Sequence, residues 1–132
     1  MKKRYVVLII IAAVLTVLLL GGWITFSAVQ NNLDSLKGLK MADIDLSQIP
    51  DGTYEGSFSM FPITAEVRVT VSGHEMTQID LIKHINGQGG AAEAIPGRVT
   101  DAQSLQVDTV SGATYSSQVI LKAIENALTN AR

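Results

Sequence analysis

Four hydroxyl side chains surround Gly112 near the C-terminus of the chain, and they belong to Ser111, Thr114, Ser116 and Ser117. Small residues let an anion approach the backbone, and the N-terminus of a helix offers free N–H groups and a partial positive charge. This composition favours a site for a phosphate group. A plainer interpretation remains open from the residues alone, because Ser, Thr and Gly are also ordinary residues of a helix cap and its turn.

The segments on either side of this loop predict how it is held. Leu105 and Val107 form a short apolar run, which we interpret as a strand that leads into the loop. Residues 118–129 then place their apolar side chains on one helical stripe, which is typical of a helix that packs on a sheet. The stripe consists of Val119, Ile120, Ala123, Ile124, Ala127 and Leu128.

The polar residues of this last helix carry two further expectations. Ser116 or Ser117 is a natural N-cap, because a hydroxyl oxygen can accept a hydrogen bond from a free N–H of the first turn. Lys122 and Glu125 fall outside the apolar stripe, so we expect both to face solvent.

A second loop, residues 86–90, has glycine at three of its five positions, 87, 89 and 90. Gly87 and Gly89 permit backbone angles that other residues avoid and let a ligand come close, although a flexible connector would have the same composition. We expect a helical turn over residues 91–95 and a second helical segment over residues 96–104, which begins with proline. His84, just before this loop, is interpreted as a surface histidine.

Strand patterns fill the region before the second loop. Residues 63–72 alternate strictly, with Ala65, Val67, Val69 and Val71 on one face, which predicts a half-buried strand. The segment that opens at residues 51–56 is expected to pass from a turn into a neighbouring strand, with Tyr54 and Phe58 as candidates for its buried face. Residues 76–84 are expected to form the other neighbouring strand, and the connections are Phe61-Pro62 and a Gly-containing turn. The fold class is therefore α+β, a small antiparallel sheet packed by a C-terminal helix and preceded by an N-terminal transmembrane helix.

The N-terminus has the pattern of a membrane anchor. Residues 5–26 carry no charge and follow Lys2-Lys3-Arg4, so the basic start should remain in the cytoplasm and the rest should lie outside. A cleaved signal peptide is the alternative. The expected organisation is a basic start at 1–4, an anchor at 5–26, a tether at 27–50 with a short helix over 33–41, and one domain at 51–132.

The amino-acid composition excludes several classes of function. The chain has no cysteine, which excludes disulfides, c-type haem attachment and thiolate-bound metal or iron–sulfur centres. Without the three N-terminal cations, seven basic residues stand against twelve acidic ones, a formal charge of −5. Such a surface is not expected to bind nucleic acid, which requires clustered cations.

The loop at residues 108–114 resembles the flavinylation motif of FMN-binding domains, Asp-x-x-Ser-Gly-Ala-Thr. Asp108, Ser111, Gly112, Ala113 and Thr114 match every fixed position of that motif. The likeness extends over most of residues 51–131 and includes the opening Asp-Gly-Thr-Tyr-Glu-Gly and the Gly-rich loop. Relatives of this kind include the flavin-carrying subunits of sodium-translocating NADH:quinone reductase and of its ion-pumping ferredoxin-linked cousin.

The resemblance implies a cofactor and a way of attaching it. FMN would be esterified through its phosphate to Thr114 by a separate flavin transferase that uses FAD. Ser111 and Ser116 would bond the phosphate oxygens, Gly112 and Ala113 would keep the approach open, and Asp108 would brace the loop. The ring would then lie near Gly87 and Gly89.

The resemblance implies an electron carrier on the outer face of the cell membrane. We do not expect a stand-alone enzyme, because the sequence shows neither a general acid/base pair nor a substrate pocket. Its partners would be the transferase, a membrane donor that could be quinone-linked, and an extracytoplasmic acceptor. Two alternatives remain: a module that binds FMN without a covalent bond, as a sensor or as a helper of a partner reductase, and a cofactor-free anchored interaction domain.

Overall fold

The computed structural model describes residues 1–85 and 89–131 and confirms the mixed α+β architecture. Its helices and strands, in chain order, are α1 (Lys2–Lys37), β1 (Gly52–Met60), β2 (Ile63–Ser72), β3 (Glu75–Ile85), α2 (Ile95–Ala102) and α3 (Thr114–Thr129). Two 3₁₀ turns, Leu46–Gln48 and Gly90–Ala94, lie between them. The chain divides into two compact units, Met1–Asn32 and Leu33–Arg132, and the second holds the sheet and the motif.

The first unit consists of most of α1. Residues 1–26 are all exposed, and the most apolar window of this 36-residue helix has a mean hydropathy of 2.8. At about 1.5 Å per residue, a helix of this length exceeds the roughly 30 Å hydrocarbon core of a bilayer. The helix is therefore long and apolar enough to cross a membrane, and a signal sequence has the same properties.

The three strands form an antiparallel meander in the order β1-β2-β3. Met60 pairs with Ile63, so Phe61 and Pro62 are the two residues of the predicted hairpin connection. The alternation predicted for β2 is confirmed, because every second residue is buried: Ile63, Ala65, Val67, Val69 and Val71. Helix α3 packs against this buried face of β2.

Helix α3 lies across β1 and β2 and buries the predicted apolar stripe. The contact is closest at Gly56 of β1, where a Cβ atom would lie 2.7 Å from Ala127 Cα and closer still to Ala127 N and to the carbonyl oxygen of Ala123. Asn126 Nδ2 also donates a hydrogen bond to Ser57 O at 2.8 Å. The absence of a side chain at Gly56 therefore lets the backbones of strand and helix touch.

Residues 33–50, which we call the strap, pack onto the domain instead of extending freely from it. Helix α1 continues to Lys37, so the short separate helix expected over 33–41 is in part the end of α1. Within the strap Leu36, Met41 and Ile49 are buried in the same core as the sheet. Their burial removes apolar surface from water, which is the physical reason why this segment does not remain a loose spacer.

Glu125 of α3 holds the strap in place, and our expectation that it faces solvent is wrong. The residue is only 8% exposed, and its Oε2 accepts a hydrogen bond from the N–H of Ala42 at 2.9 Å. Lys122, one turn earlier, donates to the other carboxylate oxygen. A buried carboxylate is tolerated here because both oxygens have partners.

The segment before the motif is not the strand that we predicted from Leu105 and Val107. Leu105 is buried, but residues 106–110 have no regular structure, and the sheet ends at β3. A strand in this position would be held by backbone hydrogen bonds to a neighbouring strand. This segment is held by hydrogen bonds that involve side chains. Gln106 Nε2 donates to Met41 O of the strap at 2.9 Å, and the Ser104 hydroxyl accepts from Gln106 N at 3.0 Å.

Candidate functional site

The motif loop is a tight turn that requires glycine. Ala113 N donates to Val110 O at 2.9 Å, which closes a four-residue turn with Gly112 at its third position. Gly112 has a φ of +79°, a value that favours glycine and is typical of a type II turn. The turn leaves Ser111 and Gly112 exposed and buries Ala113. The motif's Ser-Gly-Ala order is therefore explained by local backbone geometry.

Ser117 locks this turn onto the first turn of α3. Its hydroxyl accepts a hydrogen bond from Val110 N at 3.0 Å and donates one to Ala113 O at 2.7 Å. Ser117 is fully buried, so both bonds are shielded from water. In sequence Ser117 is only one of four neighbouring hydroxyls and a possible cap, and nothing in the motif marks it as the residue that fixes the turn.

The prediction that Ser116 or Ser117 caps the helix is wrong, because the helix begins earlier. Ala113 occupies the N-cap position of α3, with no side-chain cap bond, and Thr114 is the first helical residue. The first backbone hydrogen bond of the helix runs from Ser117 N to Ala113 O at 2.9 Å. The N–H groups of Thr114, Tyr115 and Ser116 precede that bond, so they are the ones the helix leaves for an anion.

Ser116 is buried with a hydroxyl that lacks a hydrogen-bond partner among the residues that the structure describes. The residue is 1% exposed and lies within the first turn of α3, two residues after Thr114. A buried hydroxyl without a partner costs about 1–3 kcal/mol, so a native protein usually supplies an acceptor for it, either an ordered water or a bound anion. A phosphate at the start of α3 has acceptor oxygens that suit this donor.

Arg98 of α2 contacts the motif from a neighbouring element. Its Nη1 donates to the backbone oxygen of Asp108 at 3.1 Å. A guanidinium group carries five N–H donors, so this bond leaves further donors beside the loop. The sequence contained no signal for this contact, since Arg98 lies ten residues before Asp108 in a helix of its own.

Lys37 of the strap contacts the residue that follows Thr114. Its Nζ lies 5.5 Å from the centroid of the Tyr115 ring, a cation–π distance, and 3.2 Å from Asp34 Oδ1. The Tyr115 hydroxyl, and after it the Asp34 carboxylate, hold the pKa of Lys37 above its ordinary value of 10.5. The lysine is therefore positively charged at any physiological pH, although its side chain remains 58% exposed.

The Gly-rich loop is described only from Gly89 onward, and Gly87 lies outside the described residues. Gly89 is buried, its carbonyl accepts a hydrogen bond from Ala92 N at 3.0 Å, and the Gly90–Ala94 turn packs against α3. The side of the loop that follows Gly89 thus lies against the helix that carries Thr114.

His84 is not the surface histidine that we expected. Its side chain is only 2% exposed, and Nδ1 lies 3.4 Å from Glu93 Oε1 in the Gly90–Ala94 turn. The contact joins the end of β3 to the turn that follows the Gly-rich loop, so it bridges the two ends of that loop. Sequence position alone placed His84 at a strand end and gave no sign of Glu93 covering it.

Among the residues that the structure describes, an open surface depression adjoins the start of the motif. A depression of about 390 Å³ elsewhere, lined by Glu55, Glu66 and Asn126 among others, contains no motif residue. A depression of about 430 Å³ begins at Asp108 and Thr109. Its other walls are the strap, the segment before the motif and one side of α3, with the residues Leu39, Lys40, Met41, Leu105, Gln106, Val107, Gln118 and Leu121.

Residues 61–129, just over half of the chain, match the FMN-binding domain family. The chain is similar to an uncharacterized protein of Treponema pallidum (strain Nichols), with 32% identity over 85 residues, or 62% of this chain and 24% of that protein. It is also similar to an NADH:acrylate oxidoreductase of Vibrio harveyi, with 31% identity over 91 residues, or 64% of this chain and 9% of that protein.

The chain therefore spans less than a quarter of either relative. The family match, residues 61–129, includes the motif. The start of α3, with its free N–H groups and the buried Ser116 hydroxyl, lies within the matched residues. Helix α1 and the strap lie outside the family match. The chain belongs to the FMN-binding domain family.

Proposed function

We propose that this protein is a membrane-anchored electron carrier whose FMN is joined by a phosphoester to Thr114. The observation that carries the proposal is that Thr114 is the first residue of α3, in the helical turn that leaves N–H groups free and that also contains the buried hydroxyl of Ser116. FMN supplies reversible acceptance and release of electrons, and the protein supplies attachment and surroundings.

Attachment requires a partner enzyme. The Thr114 oxygen forms a bond to the phosphorus of the FMN half of FAD, and the bond from that phosphorus to the bridging oxygen breaks. AMP leaves with the bridging oxygen, and the hydroxyl proton passes to a base of the flavin transferase. A threonine hydroxyl is a weak nucleophile, so this base and a divalent cation must come from the transferase.

The exposure of the motif explains why a covalent bond is useful. Ser111 and Gly112 are exposed, and the neighbouring depression is open, so non-covalent contacts alone would hold FMN weakly. An ester bond makes the loss of the cofactor independent of these contacts. This matters most outside the cytoplasm, where dissociated FMN would be diluted.

The proposed location is supported by α1 and its basic start. The three cations before the apolar run support a cytoplasmic N-terminus and a domain on the extracytoplasmic face. A membrane donor, which could be quinone-linked, would reduce the carrier, and an extracytoplasmic acceptor would oxidise it. The similarity to an oxidoreductase covers only 9% of that enzyme, so we propose the role of a carrier and not that of a reductase.

Coexpression with a flavin transferase tests the proposal. The denatured full-length protein should carry flavin fluorescence on its gel band, and Thr114→Ala should abolish it. Thr129→Ala, an exposed threonine at the other end of α3, is the matched control and should keep the fluorescence. Flavin that is retained by native Thr114→Ala but released on denaturation would indicate a non-covalent module, and a wild-type protein without flavin would indicate an interaction domain.

A further inference from the structure

The motif is contacted by two cations from different elements, one at each end of its sequence. Arg98 of α2 donates to the backbone oxygen of Asp108, where the motif begins, and Lys37 of the strap lies against Tyr115, the residue after Thr114. We call these two residues the flanking cations. They stand out because the chain as a whole has a net charge of −2, with twelve acidic residues.

We propose that the flanking cations are positioning residues for flavin attachment, which draw the negatively charged pyrophosphate of the FAD donor to Thr114 and then face the phosphoester. This inference rests on the proposed function. It adds a residue from outside the matched domain, because Lys37 lies in the strap and the family match begins at residue 61.

The charges suit this role for different reasons. Arg98 uses one N–H group to fix the loop, and its planar group retains donors for a second acceptor, as phosphate recognition by arginine usually requires. Lys37 cannot contact the loop backbone in the same way, but the Tyr115 ring and Asp34 hold its ammonium group beside the first turn of α3. There the positive charge adds to that of the helix N-terminus.

The exposure of the two side chains determines how much each cation changes the rate of flavin attachment. Lys37 is more than half exposed and Arg98 is exposed, so solvent screens both charges. Solvent-screened cations of this kind have small effects, so we expect each one to change the attachment rate by about two- to fivefold. The free N–H groups of α3 and the Ser116 hydroxyl remain in every variant, so attachment should slow without stopping.

The test measures the initial rate of flavin attachment to the full-length protein by a transferase at limiting FAD. Lys37→Gln and Arg98→Gln should each lower the rate by about two- to fivefold, and the double variant by about the product of the two. Lys37→Arg and Arg98→Lys should recover most of the rate. Lys83→Gln is the matched control, because it removes an exposed cation on β3 and should leave the rate unchanged.

Salt dependence separates an electrostatic role from a structural one. The wild-type rate should fall as salt is added, and the double variant should lose most of this dependence, because salt screens the charges that it lacks. If Arg98→Gln proves unstable to urea, Lys37→Gln alone decides, since its exposed side chain can be changed without opening the core.

Two kinds of failure are distinguishable. A wild-type protein without flavin, or a Thr114→Ala variant that is loaded as fast as wild type, refutes the proposed function itself. A wild-type protein that is loaded on Thr114 while the double variant matches its rate and salt dependence overturns only the role of the flanking cations. An equal loss of rate in Lys83→Gln would also overturn it, because the effect would then be one of net charge.

Discussion

The substitution Gly56→Ala is the most demanding test of the contact between the sheet and α3, the helix that begins with Thr114. The new Cβ would lie 2.7 Å from Ala127 Cα and closer to two other backbone atoms of α3. Ordinary carbon contacts lie at about 3.5–4.0 Å, so α3 would have to move away from β1 by about 1 Å. The atoms in conflict belong to backbone and cannot rotate away as a flexible side chain would.

Overpacking of this kind costs about 1–3 kcal/mol, and here the upper end or more is expected because the backbone itself must shift. For a domain of ordinary stability, about 5–15 kcal/mol, that is a large fraction of the free energy of unfolding. Urea unfolding of the detergent-solubilised full-length protein, followed by circular dichroism, would show a lower midpoint. Flavin attachment should also decrease, because α3 carries Thr114.

Gly97→Ala is the matched control for Gly56→Ala. A Cβ at Gly97, in α2, would meet no atom within 4 Å, and alanine is favoured over glycine in a helix by about 1 kcal/mol. This variant should unfold at a higher urea concentration than the wild type. If Gly56→Ala unfolded at the wild-type midpoint, the close crossing of β1 and α3 would be wrong.

Three other predictions concern the motif and the strap. Ser117→Ala removes the acceptor of Val110 N and should lower the free energy of unfolding by about 1–3 kcal/mol, measured in urea; an unchanged midpoint would contradict the bond. Gly112→Ala places a side chain at a φ of +79° and should cost about 1–2 kcal/mol in the same assay and slow flavin attachment, whereas wild-type behaviour would show that the turn relaxes freely. Because the pKa of Lys37 is raised in the folded state, its charge should stabilise the fold below pH 10.5 and lose that effect as the pH rises past the folded pKa. The difference in urea midpoint between wild type and Lys37→Gln should therefore disappear at strongly alkaline pH, and a difference that grew with pH would refute this assignment.

Patterns that are local in sequence predicted most of the fold. The alternation in β2 identified a strand because one face is buried and the other is not, and the stripe in α3 identified a helix for the same reason. The two-residue connection at Phe61 and Pro62 was also local. Each of these signals reports a periodicity of burial, which single sequences carry directly.

Contacts between distant segments could not be predicted in this way. Gly56 looks like any strand glycine until α3 is placed on it, and Glu125 looks like a surface residue until the strap covers it. The run at Leu105 has the composition of a strand, but a strand also needs a partner, and side chains hold this segment in its place.

At the candidate site, too, the local sequence pattern was predicted and the contacts from distant segments were not. Asp108, Ser111, Gly112, Ala113 and Thr114 were found through a contiguous motif, and the turn explains why Gly112 and Ala113 stand where they do. The contribution of other elements was missed. Arg98 and Lys37 lie far from Thr114 in sequence, and only the packing of α2 and of the strap brings them to the motif.

The central claim is that the Thr114 oxygen carries FMN, and peptide mass spectrometry tests it most directly. Full-length protein from cells that contain a flavin transferase would be digested, and the peptide spanning the motif would be fragmented. We predict the mass of FMN less one water on that peptide, localised to Thr114, and an unmodified peptide from Thr114→Ala. An unmodified wild-type peptide under these conditions, or flavin on Ser111 or Ser116, would contradict the account.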